Sequence, residues 1–241
     1  MLLKKKAAIT SSELSQAITQ DQWDVALGLC QSKPESAKVW TLRQGLFEGI
    51  KDSSVLPLHE ALVGGAPYAI VAAILNAYNE AIYAKESSYK RLPLHCACRK
   101  NAMLQVVDLL LKMNREAALI ADNLGRLPIH YALSNGANDL VIDALLKAQP
   151  NSARGFDKRG WTPLHVACGV GASTHVIKSI LSCYPEAVIM RTQKGSTAMQ
   201  CLNLTKAANK KEVQSILKKY HKRVDAQFKP AAKPDSERVM V

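Results

Sequence analysis

At 241 residues, 48% of them hydrophobic, the chain is long enough for one or two ordinary domains and apolar enough to pack a core. Aromatics make up only 5%, so aliphatic and small residues must do the packing, and the apolar runs fall short of the roughly 18 residues that a bilayer span needs. The net charge of +12 sits mainly at the ends: Lys4 to Lys6 give +3, and residues 206–241, with ten basic and four acidic side chains, give +6.

Residues 1–10 form a basic N-terminal segment with no hydrophobic run of the kind a signal peptide carries. Residues 11–45 read as a degenerate N-terminal capping repeat, with a first helix from Ser11 to Gln20 and a second over residues 23–30. An inserted loop, residues 46–55, holds about ten residues more than the later joints need.

From Leu56 a tetrapeptide returns four times: Leu56-Pro57-Leu58-His59, Leu92-Pro93-Leu94-His95, Leu127-Pro128-Ile129-His130 and Thr162-Pro163-Leu164-His165. The histidines step by 36, 35 and 35 residues. A fixed period of this size is the signature of a solenoid, in which each unit buries its apolar face only against its neighbours. Proline opens the first helix of each unit, where its missing N–H costs nothing. Thr162 adds an N-cap in the fourth copy, and leucine stands there in the other three. An alanine follows two residues after each histidine (Ala61, Ala97, Ala132, Ala167) and allows close helix approach. A second helix carries one apolar stripe at i, i+1, i+4, i+5, as in Val106, Val107, Leu110 and Leu111 or Val176, Ile177, Ile180 and Leu181. Turn chemistry closes the units: Asp122-Asn123-Leu124-Gly125, Asp157-Lys158-Arg159-Gly160 and Thr192-Gln193-Lys194-Gly195. The array spans residues 56–205 and ends in a degraded copy at Thr197-Ala198-Met199-Gln200. Residues 206–222 read as a C-terminal capping helix with Val213, Ile216, Leu217 and Tyr220 on its apolar face, and residues 223–241 as a disordered basic tail.

These motifs resemble the T-P-L-H-x-A signature of ankyrin repeats, most closely at Thr162-Pro163-Leu164-His165-Val166-Ala167 with Gly160 and Gly171 around it. Four near-complete copies plus two caps cover roughly residues 10–221. The departures are leucine for threonine in three copies and a period of 35–36 in place of 33, the extra residues falling around Tyr184-Pro185-Glu186-Ala187 and its equivalents. The resemblance implies an all-α fold, an ankyrin-type helix-turn-helix solenoid with β-turn fingers. It also implies a concave face of fingers and first helices that binds other proteins and does not catalyse, with the histidines in a structural role near the turns.

Transferred residue by residue, the finger positions are Tyr89, Arg91, Asn123, Arg126, Lys158, Arg159, Trp161, Gln193 and Lys194. The outward first-helix positions are Arg99, Lys100, Ser134 and Asn135. This set is basic, holds two aromatics and no acid, and suits an acidic segment of a protein partner; Arg, Tyr and Trp are the types enriched at interface hot spots. Trp161 is the strongest single candidate, a large aromatic that packing on an exposed finger does not explain. The four histidines lie about 10 Å apart by typical element spacing, too far to share a metal whose bonds are about 2 Å. Cys96 and Cys98 point to different sides of a helix. No glycine-rich phosphate loop, nucleophile elbow or metalloprotease motif is present, and glycines 64–65 and 169–171 read as turn residues. The expectation is a monomeric, non-catalytic protein–protein interaction scaffold without a cofactor. Its six cysteines are expected to be reduced, in the cytoplasm or nucleus. Two alternatives stand beside it: binding of nucleic acid or an anionic surface through Lys210, Lys211, Lys218, Lys219, Lys222 and Arg223, and service as the targeting subunit of a larger enzyme assembly.

Overall fold

The computed structural model describes residues 12–46 and 51–228. The basic segment 1–10, the centre of the insert and the tail from residue 229 lie outside the described residues. The helices run in pairs: α1 Glu13–Thr19 with α2 Trp23–Ser32, α3 Pro57–Gly64 with α4 Tyr68–Ala77, and α5 Pro93–Arg99 with α6 Leu104–Met113. These are followed by α7 Pro128–Ser134 with α8 Asp139–Ala148, α9 Pro163–Val170 with α10 Thr174–Cys183, and α11 Ala198–Asn203 with α12 Lys210–Phe228. The odd-numbered helices pack on one another in a row, and the even-numbered ones form a second row behind them. This is the two-layer, all-α helix-turn-helix solenoid that the repeat implies.

The apolar periodicity explains the layers. Leu58, Leu94, Ile129 and Leu164 of the tetrapeptides are all at most 1% exposed, and Ala61, Ala97, Ala132 and Ala167 beside them are fully buried. The second-helix stripes face inward throughout, from Ile70 and Ile74 on α4 to Val176 and Ile180 on α10. Isolated helices of about two or three turns are marginal in water, so this shared burial, not propensity, holds each one.

The longer period has a visible cause. Each interior second helix runs into a 3-10 turn, at Asn79–Tyr83, Arg115–Leu119, Pro150–Arg154 and Pro185–Val188. The turns are sewn into the stack by small residues: Ala81, Ala117, Ser152 and Ala187 are at most 1% exposed.

Two elements differ from the sequence expectation. The insert does not begin an irregular loop; it extends the first finger into a two-stranded ribbon, β1 Thr41–Arg43 antiparallel to β2 Ser53–Val55. Thr41 and Ser53 turn inward and are 2% and 1% exposed, which fixes the register. The capping helix α12 does not stop at residue 222 but continues to Phe228. Val224, 1% exposed, adds one more turn to the stripe of Val213 and Leu217 and carries the helix on.

Candidate partner-binding surface

The fingers hang on the four motif histidines. Each accepts on Nδ1 the N–H of the residue preceding its helix: Leu56 to His59 at 3.2 Å, Leu92 to His95 at 3.1 Å, Leu127 to His130 at 3.1 Å and Thr162 to His165 at 3.3 Å. Nε2 then carries the proton and donates to a carbonyl of the next finger or its approach: Ala84, Arg126, Trp161 and Ser196, each at 3.1 Å. The histidine thus supplies the half of a capping box that leucine at the cap position does not remove. Thr162 adds the other half by accepting the His165 N–H at 3.4 Å. Burial disfavours the imidazolium and pushes His59 and His95 down to about 4, against the upward pull of their carbonyl partners and neighbouring carboxylates. His130 and His165 are lowered for the same first reason.

Within a finger, an acid closes the turn. The Asp122 carboxylate accepts the Leu124 and Arg126 N–H groups at 2.8 and 3.0 Å, and Asp157 accepts those of Arg159 and Trp161 at 2.8 and 2.9 Å. Glu86 does the same for Tyr89 and Arg91. Burial pushes the Glu86 carboxyl up, but donors from Ser53, Arg91 and Ser88 outweigh it and hold the group below its ordinary value. Adjacent fingers are bonded through their backbones: Asn123 N–H to Tyr89 at 2.7 Å, Lys158 N–H to Leu124 at 2.9 Å and Gln193 N–H to Arg159 at 2.9 Å. Gly125 and Gly160 are required here. Their φ values are +74° and +75°, and a Cβ would stand 2.9 Å from the Lys158 nitrogen and 2.8 Å from the Gln193 nitrogen.

Two adjoining clefts lie between fingers and first helices, of about 260 and 300 Å³. Arg126, Ser134, Asp157, Arg159, Trp161, Val166 and Gly169 line the first; Tyr89, Arg91, Arg99, Arg126, Tyr131, Ser134 and Asn135 line the second. Arg126 and Ser134 belong to both, so the surface is continuous from the finger at 86–91 to that at 157–161. Lys100, Asn123, Lys158, Gln193 and Lys194 are exposed outside the clefts. Ser134 and Asn135 point their polar groups back at the carbonyls of His130 and Tyr131, at 2.7 and 2.8 Å.

Three sequence readings change. Arg91 is not an outward finger residue: it is 4% exposed. Its guanidinium donates to the Tyr131 hydroxyl at 2.9 and 3.1 Å, pairs with Asp122 at 3.5 Å and lies 4.2 Å over the Tyr89 ring. The Tyr131 hydroxyl donates to Asp122 at 2.6 Å, and burial, with that hydrogen bond, pushes its pKa up to about 12. Secondly, the face is not free of acid, since Asp157 lines it and pairs with Arg126 at 3.8 Å. Thirdly, Trp161 is half-buried and has a packing partner. Gly169 is not a turn residue but part of α9, and its missing side chain makes room for the indole; a Cβ there would meet the ring at 3.3 Å. The exposed cations Lys100, Lys158, Arg159 and Lys194 form no ion pair among the described residues.

Sequence reasoning missed the acids and Tyr131. The available signal was departure from the repeat: the residue after the histidine is Glu60, Cys96, Tyr131 or Val166, a position where the units agree on nothing. Glu60 forms a second such network, bonded to Ser15 and Arg43 with Thr41 beside it. Burial raises its pKa against the pull of those donors. The cysteines are no reactive cluster. Burial pushes the Cys96 and Cys168 thiols up to about 12 and raises Cys98 as well.

No helix among the described residues is long and apolar enough to cross a membrane. No curated protein matches the chain. The model of the family described as Ankyrin repeats (3 copies) matches residues 58–154 and 94–193. Those residues carry the four motif histidines and the fingers they hold, and the chain belongs to the ankyrin repeat family.

Proposed function

We propose that this chain binds an acidic, extended segment of a protein partner along the concave face, across the two clefts. Ankyrin repeats are generally protein–protein interaction modules and typically not catalytic. One observation carries the reading. Trp161 forms a half-buried apolar shelf flanked by Arg126 and Arg159, and Lys158 and Lys100, exposed outside the clefts, form no ion pair among the described residues. An aromatic anchor inside a cationic rim is the arrangement that gives both a hot spot and steering of an anionic partner. The arginine at Arg91 supports this face from beneath by holding the Tyr89 and Tyr131 rings, and it does not meet the partner.

Capture from a lysate by the full chain tests this. The variant Lys158→Glu/Arg159→Glu changes two exposed side chains, so its melting temperature is expected to stay within about 2 °C of the wild type. It is expected to lose partners that the wild type retains, and the retained partners are expected to dissociate as salt rises. A charge-reversed variant that captures every wild-type partner contradicts the proposal.

A further inference from the structure

We propose that the groove between α12 and the last repeat binds an anionic single-chain amphiphile, an acyl chain ending in a carboxylate or a phosphate. The groove holds about 470 Å³. Its floor is apolar: Val188 from the last 3-10 turn and Ile189 just after it, Met199 from α11 and Leu217 from α12. Its rim is cationic, with Arg191 on one wall and Lys218 and Lys222 on the other.

The charges have no counterpart among the described residues. Lys218 and Lys222 are four residues apart on one helix, a spacing at which like charges repel. Neither they nor Arg191 forms an ion pair among the described residues. The acid nearest Lys222 in sequence, Asp225, is engaged 3.2 Å from His221. Arg191 is held in place by a 2.9 Å hydrogen bond to the Gly195 carbonyl. An anionic head between the walls relieves the repulsion, and the chain behind it covers the floor. The volume falls in the roughly 300–1,000 Å³ range of small-molecule sites. A groove lined by nine residues is small beside the roughly 20–30 residues a side of a stable protein interface, which favours an amphiphile over a partner's acidic helix. The groove shares no lining residue with the two clefts, and the proposal does not rest on the function proposed for them.

The test titrates the full chain calorimetrically with decanoate, decyl phosphate and uncharged 1-decanol, all below aggregation. It adds phosphatidylcholine vesicles with and without phosphatidic acid. Decanoate and decyl phosphate are expected to bind one to one, with 1-decanol about tenfold weaker. Lys218→Glu/Lys222→Glu, which alters exposed residues only, is expected to weaken the anions by at least about tenfold with an unchanged circular dichroism spectrum. Met199→Gln is expected to weaken anion and alcohol alike. Lysine-dependent binding to phosphatidic acid vesicles without binding of the free amphiphiles assigns the cations to a membrane headgroup, leaves the apolar floor unused and overturns the proposal. Equal affinity for 1-decanol, equal affinity in the lysine variant, or binding of an acidic peptide but of no amphiphile or vesicle overturns the proposal.

Discussion

Each motif histidine takes a hydrogen bond on Nδ1 and gives one from Nε2, and the imidazolium cannot do the first. A group whose folded pKa is lowered stays neutral in the folded chain while the unfolded chain takes up a proton near pH 6.5. Stability is therefore full above that pH and is lost as the pH falls towards the folded value, about 4 for His59 and His95. Across that window each of these two contributes about 3 kcal/mol. His175 acts in the opposite sense: its exposed ring is raised by the Asp143 carboxylate 2.6 Å away. Urea unfolding at pH 7.5 and pH 5 checks the sign. The wild type is expected to lose stability at pH 5. His95→Leu is expected to cost about 2 kcal/mol at pH 7.5, by orphaning the Leu92 N–H and removing one of the two donors to the Arg126 carbonyl, which keeps the Asp122 N–H, and to flatten the loss on acidification. A variant with the wild-type pH slope contradicts the joint.

Among the elements, the 3-10 turns show where the repeat leaves least room. Ala117 is 1% exposed at the turn after α6. Ala117→Leu overpacks this site and is expected to cost about 1–3 kcal/mol, read as a lowered urea midpoint. An unchanged midpoint contradicts the packing described. The helix pairs were legible in the sequence because their signals are local: a proline at the first helical position and apolar stripes at 3.6-residue spacing. The ribbon β1–β2 was not, because its register depends on Thr41 meeting Ser15 of α1 and Ser53 meeting Glu86 of the next finger, 33 residues away. The end of α12 was missed by six residues because Val224 stands alone among charged residues and only its burial reveals it. On the finger face, Lys158 and Arg159 were placed correctly as exposed. Arg91 was not, because the Tyr131 that buries it is 40 residues away and differs from the residue at that position in every other copy.

At the scale of the whole molecule, the stack has no centre. Each unit touches only its neighbours, and the backbone bonds from finger to finger join the units into one continuous face. Much of the charge of +12 lies in residues 206–241, while the finger acids pair with Arg91 and Arg126, so the proposed recognition on the finger face rests on a few side chains around Trp161. Amide hydrogen exchange of the full chain, alone and saturated with a captured partner, tests this most directly. The expected result is slowed exchange in the finger segments 122–126 and 157–161 and at the inner ends of α7 and α9, with α12 unchanged. Slowing confined to α12, or absent from the fingers, would contradict it.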